Sequence, residues 1–521
     1  MHISLKDNQF NGTPWKDAWG GCDPELKNAL NDISGKSIKD LASEENENIF
    51  FFRPGGNTKN ELDNKNNFIF KCDSKDKPSF KTGNIMGFFD IAYGENKSKR
   101  TQVQITSRFD DSEDNLFLQH MLRKVLDISD TNLAFAPRTN SSENSFFDFL
   151  YYLFPNYLKK ACVQGIYRAY VTREYNDANV RGPIDVARHI RYNIPFNGKI
   201  AYHTREYTTD NKITQLVRHT IEYIRSLSHA SFILSSDNDT REYVDEICGA
   251  TPTYSRNSRI QVIAQNLRPV THPYYTAYED LRRLCLMILR HDKFGYGKSD
   301  DQLIQGVLFD GASLWEEYLA KVIEEQCRSE SQDTFELRGY KHSNNRKGEK
   351  GIRLFKNSRT KYYPDFYRLN SAENMEDGFV LDAKYKRLCT IGSEKAAVPD
   401  DEASDEDVSE PESKDEKDGV HFHYKRDDLF QMLAYMHALE IRQSYLISPY
   451  QDEKAEEKLI ISPNPREAEG FGGKIFIVAV PIPCCKGENE EIRQKEFERK
   501  MVDIESELVK QISDMLKKKK D

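Results

Sequence analysis

Lys361-Tyr-Tyr-Pro-Asp-Phe-Tyr-Arg-Leu369 and Gly378-Phe-Val-Leu-Asp-Ala-Lys-Tyr385 decide how the C-terminal half of the chain is read. Both runs are dominated by aromatic and aliphatic residues that favour strands. Side chains alternate between the two faces of a strand, so Asp382 and Lys384, two apart, project on the same side. Asp365 lies in the preceding strand with sixteen residues intervening, a separation that suits a hairpin partner. An aspartate inside a sheet is costly unless a cation or another partner compensates it. Two carboxylates and a lysine on neighbouring strands are the groups that metal-assisted phosphodiester hydrolysis needs. The carboxylates hold a hard divalent cation such as Mg²⁺ through oxygen. The cation stabilises charge on the phosphate and lowers the pKa of an attacking water. The lysine orients that water or stabilises the developing charge. P-D and D-x-K each occur by chance in long chains, and the structural alternative is a surface hairpin with exposed charges. The spacing within two adjacent strands carries the assignment.

The elements on either side add three candidates. Leu314, Trp315, Tyr318, Leu319, Val322 and Ile323 form one apolar stripe of a helix ending near Gln326, capped by Asp310 or Ser313. Glu316 borders that stripe, where it can reach an adjacent active site as a metal or water ligand. The alternative is a boundary salt bridge. Downstream, a helix is expected over Asp428–Ile441. Gln431 and Tyr435 share one of its faces, where they need partners such as a phosphate or the lysine, unless they face solvent. Asp428 reads as the cap of that helix. With strands at 335–340, 361–369, 378–385, 444–448 and 474–480, the order is α-β-β-β-α-β-β, an α/β arrangement. The charged helix from Glu490 to Lys520 reads as peripheral.

These residues resemble a known superfamily. Tyr363-Pro-Asp365, Leu381-Asp-Ala-Lys-Tyr385 and Gln431-x-x-x-Tyr435 are similar to the PD-(D/E)xK nucleases that carry a Q-x-x-x-Y helix. Gly306-Val-Leu-Phe-Asp-Gly-Ala-Ser-Leu-Trp-Glu-Glu-Tyr-Leu-Ala-Lys-Val322 and Asp428-Leu-Phe-Gln-Met-Leu-Ala-Tyr435 resemble the McrC family, the nuclease subunits of McrBC-type and LlaJI-like restriction systems. Arg181-Gly-Pro-Ile-Asp185 and Leu116 to Val125 also look like that family. The resemblance implies catalytic roles for Asp365, Asp382 and Lys384, with Glu316, Gln431 and Tyr435 in support. It implies Mg²⁺, replaceable by Mn²⁺, held by Asp365, Asp382, the Ala383 backbone carbonyl and Glu316. It implies a double-stranded DNA substrate and a McrB-like AAA+ GTPase as partner. GTP would be bound by that partner and not by this chain, which has no G-x-x-x-x-G-K-[ST] sequence. Two rivals stand beside this reading: a stand-alone repair or recombination nuclease, and a non-catalytic adaptor of an AAA+ NTPase.

Bulk properties set the frame. The 521 residues exceed one ordinary core, and 38% hydrophobic content permits several. A multidomain α/β and α+β chain is expected. Its parts are a mixed, partner-binding domain at 1–130, a mainly helical domain at 131–300, a PD-(D/E)xK domain at 301–490 and a charged helix at 491–521. Apolar stretches such as 145–154 and 474–480 are too short for a membrane helix. Nine cysteines without any C-x-x-C pair point to reduced thiols in a cytoplasm. His421 and His423 read as ordinary loop or strand-edge residues. The net charge of −9 resides in Glu394–Asp418, with twelve acids and three lysines, so the remainder is neutral. That stretch has no apolar pattern and reads as a disordered acidic insertion within about 391–420. Arg188, Arg191, Arg218, Arg225, Arg282 and Arg283 offer salt bridges or a partner surface.

Overall fold

A computed structural model describes residues 2–11, 24–37, 41, 49–52, 68–73, 79–95, 99–110, 115–126, 145–227, 230–294, 304–327, 335–337, 352–355, 362–370, 378–391, 420–451, 458–470, 472–485 and 490–517. The chain divides into two compact units, Met1–Ala136 with Asp301–Asp521, and Pro137–Asp300.

The first unit contains a five-stranded sheet in the order His2–Lys6, Lys99–Thr106, Ile85–Tyr93, Ile304–Asp310, Ile49–Phe52. Ile304–Asp310 runs antiparallel to Ile85–Tyr93 and parallel to Ile49–Phe52. At Gly306 a Cβ would stand 2.2 Å from the Phe88 carbonyl oxygen, so only glycine fits there. Leu308 joins Ile3, Leu30, Phe70, Phe89, Val103 and Ile105 in one core. The boundary expected near residue 130 lies close to the division at 136–137, but the segment before it and the segment after residue 300, expected as separate domains, form one unit. The strand that resumes the chain after the middle unit has both its hydrogen-bonding edges and its core filled by N-terminal residues, which makes 1–126 part of the C-terminal unit.

The second sheet of this unit has the order Phe335–Leu337, Phe366–Arg368, Phe379–Ala383, Gln443–Tyr450, Lys474–Pro481, Ile460–Ile461, with Arg466–Glu467 also paired to Lys474–Pro481. Phe379–Ala383, Gln443–Tyr450 and Lys474–Pro481 are parallel; the flanking pairs are antiparallel. Central strands covered on both faces read as continuous apolar runs, which suits Phe379-Val-Leu381 and Ile475-Phe-Ile-Val-Ala-Val480. The helix Arg426–Leu439 buries Met432, Tyr435 and Met436 against Val380, Leu446 and Ile477. The helix Gly311–Cys327 buries the whole expected stripe, Leu314, Trp315, Tyr318, Leu319, Val322 and Ile323. Asp310 caps it, accepting the Ser313 N–H at 3.0 Å.

The helix Glu490–Lys517 is not peripheral. Phe497, Met501, Ile504, Leu508 and Ile512 are buried at spacings of four and three, a stripe hidden among charges in the sequence. Its Glu505 is buried with Oε1 2.8 Å from His120 Nε2, and it accepts from Tyr318 OH at 2.9 Å and Lys124 Nζ at 3.2 Å. The acidic stretch 394–418 lies outside the described residues. The chain on either side of the acidic stretch, Cys389–Ile391 and Val420–Phe422, forms an antiparallel ribbon.

The other unit contains the helices Ser145–Cys162, Lys212–Ser226, Asn238–Ala250 and Ala277–Phe294. It also holds a long antiparallel ribbon, Ala169–Asp177 with Ile200–Thr208, whose alternating burial reflects a period-two pattern rather than a helical one. The helix Val186–Asn193 lies between these strands, N-capped by Asp185. Several of the arginines singled out are paired: Arg188 with Glu174, Arg218 and Arg225 with Glu222, Arg282 with Glu279. Among the described residues no helix is long and apolar enough to cross a membrane.

Candidate active site

Phe366 pairs with Leu381 in antiparallel register. Extending that register by one residue sets Asp365 opposite Asp382, and opposed residues of an antiparallel pair share a face. The two strands therefore carry both carboxylates to one place. Asp365 Oδ2 accepts the Ala383 backbone N–H at 2.7 Å. Lys384 lies just past the strand, where its own N–H donates to the Ile447 carbonyl at 2.8 Å and keeps the chain extended. The Trp315 indole N–H donates to the same carbonyl at 3.3 Å, tying the helix Gly311–Cys327 to this strand end.

Lys384 Nζ forms an ion pair with Asp382 Oδ2 and donates to Gln431 Oε1 at 2.8 Å. Gln431 Nε2 in turn donates to the Tyr435 hydroxyl at 3.0 Å. The shared helical face expected of Gln431 and Tyr435 thus meets the lysine. Asp382 is 2% exposed, so its charge depends on that partner.

The electrostatics follow from crowding. Burial, then the negative charges of Asp382 and Glu316, push the Asp365 carboxyl well above the carboxylate range. Burial also raises Asp382, although Lys384 opposes it. Burial alone would lower Lys384, but Asp382, Asp428 and Asp365 outweigh it and hold the ammonium charged. Burial, then Asp382 and Asp365, push the Tyr435 hydroxyl up to about 12. Asp365, Asp382 and Glu316 thus crowd negative charge beside Lys384. All their donors are oxygen, which fits a hard divalent cation completed by water. Among the described residues no three His, Cys, Asp or Glu side chains converge tightly enough to enclose a metal by themselves. The Ala383 carbonyl and water would have to complete the shell.

One expectation is corrected. Asp428 does not cap the helix Arg426–Leu439, whose N-cap is Lys425. It lies in the first turn, buried, and accepts from Lys386 Nζ at 2.9 and 3.0 Å. Lys386 escaped the sequence reading, although its two-residue offset from Lys384 repeats the alternation that selected Asp382 and Lys384. His423, beside the ribbon that ends at Phe422, places Nε2 3.0 Å from Thr390 Oγ1.

The sequence profile of the McrBC 5-methylcytosine restriction system component family matches residues 80–405. The chain belongs to this McrBC family. The matched span contains Glu316, Asp365, Asp382, Lys384 and Lys386, and it crosses from the first sheet through the middle unit to the second sheet. Among curated proteins no relative matches. Similar solved structures include the following two. One is a chain of a half-complex from a tetradecameric assembly of Thermococcus gammatolerans McrB AAA+ hexamers with bound McrC. It is 16% identical with a TM-score of 0.42, over 97% of this chain and 100% of that one. The other is a chain of the Thermococcus gammatolerans McrBC complex, 18% identical with a TM-score of 0.28, over 62% of this chain and 87% of that one. At that level of similarity neither fixes a residue role for this chain.

Proposed function

We propose that this McrBC family member is the nuclease subunit of its restriction system, cutting double-stranded DNA by Mg²⁺-dependent hydrolysis on a PD-(D/E)xK core within 301–490. The observation that carries this reading is the opposition of Asp365 and Asp382, with Lys384 held between Asp382 and Gln431. Asp365, Asp382 and the Ala383 carbonyl would hold the cation, with Glu316 beside them; Mn²⁺ has the same oxygen preference. A bound cation would supply a Lewis acid for the phosphate and a lowered pKa for water. Lys384, kept charged by its carboxylates, can hold a non-bridging phosphate oxygen as negative charge develops. Gln431, backed by Tyr435, fixes where that ammonium points.

The partner in this reading is a McrB-like AAA+ GTPase that binds GTP. The middle unit offers a surface for it: Val186, Ile190, Ile194 and Phe196 are all more than half exposed beside the ribbon. Apolar side chains grouped this way mark interaction sites.

The test is plasmid cleavage by the full chain with Mg²⁺, the GTPase and GTP, against the same mixture with a chelator. Cutting that the chelator abolishes supports the proposal. Full cutting without the GTPase would favour a stand-alone nuclease, and no cutting under any of these conditions would favour a non-catalytic adaptor.

A further inference from the structure

Two lysines leave the end of the strand Phe379–Ala383, and one helix face receives both. Lys384 Nζ donates to Gln431 Oε1 at 2.8 Å, while Lys386 Nζ donates to both oxygens of Asp428, at 2.9 and 3.0 Å. Asp428 and Gln431 are three apart on the helix Arg426–Leu439, so they are neighbours on its surface. Asp428 is 3% exposed and Lys384 Nζ stands only 3.9 Å from its Oδ1. The site therefore holds two ammonium groups and three acceptors, Asp382, Gln431 and Asp428, within mutual reach. How the lysines are divided among the acceptors decides where Lys384 points.

Each member of the outer pair is harmless only while the other is present. Without Lys386, Asp428 would be a buried carboxylate lacking its cation, with the Lys384 ammonium already 3.9 Å from it. Without Asp428, Lys386 would be released toward Asp382, whose charge it already influences, in competition with Lys384. Buried charges left without a partner either draw in a new one or destabilise the fold. The exposed third of the Lys386 side chain gives it room to move.

We propose that Lys386 and Asp428 act together as a positioning pair, whose mutual neutralisation keeps the Lys384 ammonium on Asp382 and Gln431. This rests on the nuclease reading above. Neither residue need touch the DNA; both act through Lys384.

The experiment is a double-mutant cycle on the full-length chain, with Lys386→Met, Asp428→Asn and both together. Plasmid nicking is measured with Mg²⁺ and the GTPase at a temperature well below every variant's melting point, with kcat and KM determined separately. Each single change should lower kcat about tenfold or more with little change in KM, because a displaced catalytic group costs turnover rather than binding. The double variant should be less impaired than the product of the two single effects, since it leaves no intruding charge. Lys386→Arg, which keeps the charge, should recover most of the loss. Melting temperatures should follow the same non-additive order and require no turnover to read. Single variants that melt lower but turn over normally would reduce the pair to a structural brace. A rise in KM at constant kcat would make Lys386 a DNA contact. Effects that simply multiply would remove the coupling. Each of these overturns the proposal. Asp382→Asn in the same assay separates the two levels. If it cuts normally, the nuclease reading and this inference fall together. If it is dead while Lys386→Met is normal, only this inference falls.

Discussion

The guanidinium carbon of Arg108 lies 5.0 Å from the centre of the Tyr385 ring, and the same guanidinium donates to the Tyr385 backbone carbonyl. Tyr385 stands between the two lysines of the site. Ser107 Oγ lies 2.7 Å from its hydroxyl, and the Phe109 ring packs against it edge-to-face with ring centres 5.2 Å apart. On the other side Gly311 leaves no room for a side chain, since a Cβ there would meet the ring at 2.9 Å. The N-terminal turn at 107–110 thus grips the chain just as it leaves the strand Phe379–Ala383.

Arg108→Ala should therefore affect both stability and activity. The loss removes a buried charged donor and a cation–π contact, together about 2–4 kcal/mol. Urea unfolding and plasmid nicking measure the two effects. A variant that unfolds like the wild type and cuts at its rate would show that the grip is incidental.

Fragment behaviour should follow the two compact units rather than the midpoint of the chain. Residues 301–521 alone lack both neighbours of the strand Ile304–Asp310 and should not fold cooperatively. Residues 137–300 form a unit by themselves and should fold and bind the GTPase. Ile190→Asp with Phe196→Asp should weaken that binding by placing charge on the exposed apolar surface. Circular dichroism melts and pull-down of purified GTPase provide the readout. A cooperative melt for 301–521 would contradict the shared-sheet architecture.

Glu505 should give the first unit an acid-sensitive joint. Burial pushes its carboxyl up, but the hydrogen bonds from His120 and Tyr318 and the ammonium of Lys124 more than offset this and hold it below its ordinary 4.5. A group depressed in the folded state contributes stability above its unfolded pKa and loses it as pH falls through the folded value. Glu505→Gln should melt lower than wild type at pH 7, by about 1–3 kcal/mol of stability. That gap should narrow as pH drops below 4.5. A gap that stays constant with pH, or no gap, would assign Glu505 no such role.

Much of this was legible in the sequence because it rested on local periodicity. Asp382 and Lys384 share a side because strands alternate, and the apolar stripe around Trp315 follows the helical repeat. Tyr435 could be paired with Gln431 for the same reason. What escaped was set by contacts distant in sequence. Nothing local to Gly306 says that its neighbours across the sheet are Phe89 and Ile49. The strand Ile304–Asp310 reads equally well as the start of a separate domain. Asp428 sits where helix caps are common, and its true partner, Lys386, lies beyond the acidic insertion. The stripe Phe497–Met501–Ile504–Leu508 has helical spacing, but dense charge around it made the helix look solvent-bound.

The proposed chemistry depends on the opposed aspartates and their lysine. The most direct measurement is nicking of supercoiled plasmid by Asp382→Asn and Lys384→Ala, each with Mg²⁺, GTP and the GTPase, alongside thermal melts. Asn keeps the shape of Asp382 while removing the charge that a cation and Lys384 require. Both variants should remain folded and lose cleavage by about a hundredfold or more, as removal of a transition-state-stabilising group does. Folded variants that nick plasmid at the wild-type rate would contradict the assignment.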